Sequence, residues 1–467
     1  MSSNERVNDT GLNARGEAGS ADTDLDRWSR LAIESGTIDP SLFGKYDVKR
    51  GLRDLTGHGV LAGLTRIGDV VGYTEQEDGM TVPTAGRLLY RGIEIRELIN
   101  GFAAEDRHGF EETCYLLLFG ELPDRAELEL FRERLASGRA VPRHFVNDVI
   151  LPMPSRDIMN AMARGVLALY VLDENPDDTS VPAVLRQSMR LISTFPLLAV
   201  YAYHASAHRF ECGSLFIHRP DPSLSTAENI LHMLRPDNQF TPLEAAVLDM
   251  ALVLHAEHGG GTNSSFTARV VSSSATDTYS IIAAALGSLK GPRHGGANIK
   301  VVKMFEELKS EIKDWSDDEE ITDYLLRILN KEAFDRSGLV YGMGHPVYSV
   351  SDPRTLILRE YAERLAAEKG LEDEFNLHAK IEVLAPAAIS GRRKIYKGVS
   401  ANVDFYSGFV YQMLGIPEAL YTPLFAVSRI VGWCAHHLEE ITGGGRVIRP
   451  AYKSLSTPRD YMPLDKR

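Results

Sequence analysis

Two histidines and one aspartate lie in stretches whose residue types suit proton transfer. His294 sits in Gly291-Pro292-Arg293-His294-Gly295-Gly296-Ala297-Asn298. Gly291-Pro292 closes one helical run there, and Ile299, Val301, Met304, Phe305, Leu308 and Ile312 open another at helical spacing. Unpaired N–H groups and the dipole at a helix N-terminus disfavour an imidazolium, so His294 is expected to be a neutral donor able to polarise a carbonyl. Taken alone, a histidine that packs a tight turn between helices is the plainer reading. His345 lies in Tyr341-Gly342-Met343-Gly344-His345-Pro346-Val347-Tyr348, followed by Asp352-Pro353-Arg354. The glycines let the backbone approach a ligand closely and the prolines stiffen the path, although an ordinary helix connection fits the same text. Asp404 precedes an apolar run to Leu414, which is an N-cap position. Facing a carbonyl compound in a dry site, it would instead be a general base for an α-proton.

A second group suits anion binding. His255 and His258 are three residues apart at the expected end of a helix, where a cation is favoured and both rings can face one way. With Glu257 they also suggest zinc ligands, but the H-E-x-x-H pattern is absent, and capping of the helix end is preferred over a metal. Arg429 lies in Pro423 to Ile441, a run apolar nearly all round. A guanidinium buried there needs a carboxylate, from the protein or from a ligand.

The elements that must position these residues read as mainly helical. Phe110 to Phe119, Arg125 to Leu135, Ser155 to Leu172, Val181 to His208 and Tyr279 to Leu289 all carry helical text. Thr241-Pro242-Leu243-Glu244 fits a capping box that opens a helix running to His258. Short strands or hairpins are expected only between Asp47 and about Tyr90, at Val60 to Leu64 and Val70 to Tyr73. Gly57 to Gly63 lacks the spacing of a dinucleotide loop. Residues 1 to about 25 read as a disordered tail, with a helical turn near Trp28 to Ile33.

With 51 basic and 64 acidic residues the net charge is −13, which speaks against nucleic acid or an anionic membrane as a partner. Apolar runs fall short of the ~20 residues of a membrane span. Cys114, Cys212 and Cys434 are scattered and suit unbonded thiols in a reducing compartment, so a cytoplasmic location is expected.

Together these stretches resemble the citrate synthase family. The matching text comprises Leu254 to His258, Gly291 to Asn298, Gly342 to His345 with Asp352-Pro353-Arg354, Asn402 to Gly408, Ser428-Arg429 and Arg449-Pro450, within a similarity running from about Asp47 to the C-terminus. The resemblance implies a mainly α, two-domain homodimer. Residues 1–45 would be an N-terminal tail, 46–296 with 415–467 the large domain, and 297–414 a small domain that closes over the substrates.

The implied reaction condenses acetyl-CoA with oxaloacetate and water to give citrate and CoA. Asp404 would take the methyl proton, His294 would hydrogen-bond the thioester oxygen, and His345 would polarise the ketone. His258, Arg354 and Arg429 would hold the oxaloacetate carboxylates, joined by Arg449 of the other subunit. No metal or cofactor is implied, acetyl-CoA being a substrate. Pro346 and Ser349 depart from residues that many relatives carry, some of them basic, so Arg393, Lys394 and Lys397 become candidates for CoA binding. Glu257 and Gly259 beside His258 are a further departure. Two alternatives are a 2-methylcitrate synthase using propionyl-CoA and a non-catalytic binding protein of the same fold; the complete set of His294, His345 and Asp404 weighs against the latter.

Overall fold

Side-chain caps fix where the helices begin. The predicted capping box forms: Glu244 N–H donates to Thr241 Oγ1 at 3.2 Å, and the Glu244 carboxylate accepts from Thr241 N–H at 2.8 Å, starting helix Pro242–His255. Asp124 and Ser225 open helices Arg125–Gly138 and Thr226–Leu234 in the same way. The computed structural model describes residues 18–54, 59–76, 80–392 and 398–467. The start of the expected tail, the Gly57-His58 text, and Arg393, Lys394 and Lys397 lie outside the described residues.

The chain divides into two units, Met1–Gly63 and Leu64–Arg467. In the first, helix Ala18–Gly36 replaces the single turn expected near Trp28. Leu25, Trp28 and Leu31 recur every three residues along it, a period hidden by the polar text around them. The expected strand beginning at Val60 is not formed; among the described residues only an isolated bridge joins Arg53 and Gly59. Val60 and Leu61 are exposed, so no sheet face recruits them.

The second unit is mainly α, as predicted. Among its described residues one sheet forms, antiparallel and ordered β1 (Gly68–Glu75), β2 (Thr81–Tyr90) and β3 (Ile93–Glu94). The expected Val70 to Tyr73 strand lies in β1, whose register slips between Val71 and Tyr73. At the slip, a Cβ on Gly72 would stand 2.5 Å from the carbonyl oxygen of Val347, and one on Gly86 in β2 would stand 2.2 Å from that of Ser351. The hairpin therefore backs directly onto the segment that follows His345.

Helices Val181–Phe210 and Tyr421–Thr442 form the centre of this unit. Phe195, Val200, Leu424, Ile430, Val431 and Trp433 are buried completely. Each such side chain contributes about 1.5–3 kcal/mol relative to exposure. The second helix carries Arg429 through the middle of this core.

Candidate active site

The helix expected to reach His258 stops at His255. The Tyr90 hydroxyl causes the stop: it donates to the Val253 carbonyl at 2.9 Å and accepts from Glu257 N–H at 3.2 Å, while Gly259 adopts a left-handed φ of 83°. His255 and His258 therefore do not share a helical face. His255 hydrogen-bonds Ala251 O through Nδ1 at 2.8 Å and packs on Phe425. His258 turns toward His345, with ring centroids 5.1 Å apart at 77°. The zinc arrangement does not form, and among the described residues no group of three or more His, Cys, Asp or Glu is placed to hold a metal ion. Nor is His258 the helix-end cation that its spacing suggests. Burial, then Arg354, His345 and Arg429, hold it well below the usual histidine range, so it is neutral.

The His345 loop is tied to the start of the Asp404 helix. Met343 bridges Ala401, Gly344 N–H donates to Ser400 O at 2.7 Å, and the Asn402 amide donates to Gly344 O at 2.9 Å. Two backbone groups, Val347 N–H and Tyr348 N–H, donate to Nδ1 of His345 at 3.1 Å each. Nδ1 is thus an acceptor, and the ring's own proton sits on Nε2. Tyr348 stacks on the ring at 4.7 Å.

Helix Asp404–Met413 begins at Asp404, but Asp404 does not cap it. Asn402 Oδ1 accepts from Asp404 N–H at 3.0 Å instead, leaving the carboxylate uncommitted to the helix. Burial pushes Asp404 up to about 6, against the pull of Arg354 and with the push of Asp352. A carboxyl group with that value is a better base than an ordinary aspartate and still largely ionised at neutral pH.

His294 lies three residues before helix Ala297–Glu311. Its neutrality has a different source from the one expected. Burial, followed by the charge of Arg429, pushes it down to about 4. The helix end that faces it belongs to another element: Ser264, in the first turn of Asn263–Ser272, donates its N–H to His294 Nε2 at 3.3 Å, with Oγ at 3.0 Å. Nε2 is occupied as an acceptor, so Nδ1 carries the proton.

Arg354 and Arg429 are both buried but differ in their partners. Arg354 is held by its neighbour Asp352, Nε to Oδ1 at 3.0 Å and Nη2 to Oδ2 at 2.7 Å. Burial pushes this guanidinium down and Asp352 more than offsets it. Arg429 donates Nε–H to His255 O at 2.6 Å and makes no ion pair among the described residues. Burial lowers it to about 10. Its Nη1 and the Nε2 of His258 are buried without any hydrogen-bond partner. Such atoms call for a ligand, since an unpaired buried polar group costs on the order of 1–3 kcal/mol.

The family profile described as "Citrate synthase, C-terminal domain" matches residues 55–451. This chain belongs to the citrate synthase family. It is 37% identical to the citrate synthase of Haloferax volcanii over 390 residues, 82% of this chain and 93% of the relative. Identity to the citrate synthase of Synechocystis is 35% over 391 residues, 82% and 89% of the two chains. The 2-methylcitrate synthase of Shewanella oneidensis is 31% identical over 391 residues, 83% and 94% of the two chains. Among solved structures, the ternary complex of carboxymethyl coenzyme A and oxaloacetate with citrate synthase from Thermoplasma acidophilum superposes with a TM-score of 0.72 at 27% identity. The match covers 90% of this chain and 99% of that one.

Of the residues singled out in this citrate synthase family member, six gather in one cluster: His258, His294, His345, Arg354, Asp404 and Arg429. Arg354 acts on Asp404, Arg429 acts on His294, and both arginines act on His258. Arg449 is not among them; it is exposed in the C-terminal segment. Arg392, directly before the CoA-binding candidates, ends helix Glu372–Arg392 and is exposed. Sequence reasoning missed Ser264, Asn402 and Tyr90. Asn402 carried a signal, since an Asn two residues before a helix start is a capping spacing. Ser264 and Tyr90 carried none, because each meets its partner only through the fold.

Proposed function

We propose that this chain condenses acetyl-CoA with oxaloacetate and water, giving citrate and CoA. The observation that carries the reading is the pair of buried, unpartnered nitrogens, Nε2 of His258 and Nη1 of Arg429, with the His258 ring 5.1 Å from that of His345, whose proton sits on Nε2. Together they suit a small carboxylate whose ketone oxygen meets His345. Asp404 removes a methyl proton of acetyl-CoA, and the electrons of that C–H bond pass into the enol of the thioester, whose oxygen accepts from His294 Nδ1–H. The methylene carbon then attacks the ketone carbon, and His345 gives its proton to the developing alkoxide. Water cleaves the resulting thioester, releasing CoA and citrate.

His258, Arg354 and Arg429 hold the carboxylates, and Arg449 reaches the site of the second subunit of a homodimer. Support for Arg449 in that role is its exposure and the absence of any hydrogen bond or ion pair to it among the described residues. Residues 297–414 act as a small domain that brings His345, Arg354 and Asp404 to the His258, His294 and Arg429 of the large domain. Closure keeps the enol from bulk water. Arg393, Lys394 and Lys397 contact the CoA phosphates. The protein works in the cytoplasm: Cys114, Cys212 and Cys434 are unbonded, and no helix among the described residues is long and apolar enough to cross a membrane.

Release of CoA thiol by the purified protein tests the reading, with acetyl-CoA or propionyl-CoA and with or without oxaloacetate. Oxaloacetate-dependent release with higher kcat/KM for acetyl-CoA is expected. A preference for propionyl-CoA would assign 2-methylcitrate synthesis instead, and no release from protein that binds oxaloacetate would leave a binding protein of this fold.

A further inference from the structure

Helix Tyr421–Thr442 turns Arg429, Gly432 and His436 toward the segment that carries His258. Glu257 in that segment is fully buried; one carboxylate oxygen accepts from His436 Nε2 at 3.0 Å, and the other has no partner. Arg269 donates to Nδ1 of His436 from Nε at 3.1 Å and from Nη2 at 2.8 Å. These donors fix the His436 ring as an acceptor at Nδ1 and a donor at Nε2. Arg269 is anchored in turn by Glu440 at 3.1 Å and by Glu439. Burial pushes Glu257 up, but His436, Arg429 and a backbone hydrogen bond from Gly259 more than offset it, so Glu257 is a carboxylate.

The unpartnered Oε2 of Glu257 and the Cδ of Arg429 both come within 3.5 Å of the point where a Cβ on Gly432 would stand. No ion pair joins them among the described residues, and Nη1 of Arg429 stays unpartnered. Opposite charges this close in a buried setting attract strongly. Something must keep them from closing on each other, and the side chain that hydrogen-bonds Glu257 is His436, beside a backbone hydrogen bond from Gly259.

We propose that His436, backed by Arg269, is a positioning residue that holds Glu257 off Arg429, so that Arg429 keeps an open N–H for the oxaloacetate carboxylate. The inference rests on the reading of Arg429 as an oxaloacetate ligand. Without the clamp, Glu257 swings onto Arg429 and competes with the substrate.

Steady-state kinetics and calorimetric titration with oxaloacetate test this on the full chain, with thermal unfolding as the check of fold. His436→Phe is expected to raise the KM and Kd for oxaloacetate about tenfold or more, with kcat and the KM for acetyl-CoA within about threefold of wild type. Adding Glu257→Gln to it removes the competing charge and should return oxaloacetate affinity to within about threefold of wild type. Should His436→Phe fail to fold, Arg269→Gln loosens the same ring and is expected to raise the oxaloacetate Kd at least about threefold. Unchanged oxaloacetate affinity in a folded variant would overturn the proposal. So would a loss in the double variant as large as in the single one. A wild-type protein that binds oxaloacetate but releases no CoA would contradict the reaction instead, while the binding titrations would still decide the role of His436.

Discussion

Burial raises Asp404 to about 6, while the proposed chemistry needs a carboxylate there, so folding and the proposed catalysis make opposite demands on it. The sign follows from the direction of the shift. A carboxyl raised in the folded state contributes its stability fully below its ordinary range and loses it as pH rises through about 6. At neutral pH the ionised group is a net cost of on the order of 1–2 kcal/mol, allowing for its partial exposure. Asp404→Asn is therefore expected to raise Tm by about 2–4 °C at pH ~7.5 while lowering kcat by about 10²–10⁴-fold, read by calorimetry and CoA release. A variant less stable than wild type would contradict the strain. For the wild type, kcat should fall as pH drops through about 6, as Asp404 takes up its proton; His294, held near 4, stays neutral across that window. A rate independent of pH between about 5 and 7 would remove Asp404 as the base. At this scale Arg429 was the most legible residue, because a guanidinium in apolar helical text has few structural explanations. The tautomers were not legible: those of His294 and His345 depend on Ser264 and on backbone groups that only the fold brings near.

Two segments far apart in sequence hold the proposed catalytic elements in place: the hairpin behind the His345 loop and the 400–402 stretch in front of it. Gly86 is required because its N–H donates to Ser351 O at 3.1 Å and no Cβ fits there. Gly86→Ala should cost about 1–3 kcal/mol in unfolding free energy and, by displacing the His345 loop, lower kcat by up to about 10²-fold. Denaturant unfolding and CoA release measure the two effects; full activity at full stability would show that the hairpin does not position the loop. The helices were readable from their 3.6-residue period and caps, and helix Tyr421–Thr442 brackets the predicted run within two residues at the start and one at the end. Strand β2 was not, since Pro83 and Gly86 interrupt its alternation. The early stop at His255 was hidden as well, because the group that breaks the helix, the Tyr90 hydroxyl, lies 163 residues from the carbonyl of Val253 to which it donates.

At the scale of the whole molecule, the mainly α class was legible from helical periodicity, and the six residues could be singled out because five motifs stand in order along one chain. The grouping of those motifs in space, and the exposure of Arg449 away from them, required the fold. If Arg449 completes the site of a partner, two inactive variants should complement each other. Mixed dimers of Arg449→Ala and Asp404→Ala subunits rebuild one intact site in two, so equal mixing after dissociation should restore roughly a quarter of wild-type activity. Mixtures no more active than the separate variants would place Arg449 outside the partner's site.

In the proposed reaction a carbon–carbon bond forms at the methyl carbon of the thioester. Product NMR from acetyl-CoA labelled with ¹³C in the methyl group, incubated with unlabelled oxaloacetate and the purified protein, tests it most directly. Label is expected in a methylene carbon of citrate, with CoA released in equal amount. Labelled acetate with free CoA and no citrate would mean simple thioester hydrolysis and would contradict the roles given to Asp404, His294 and His345.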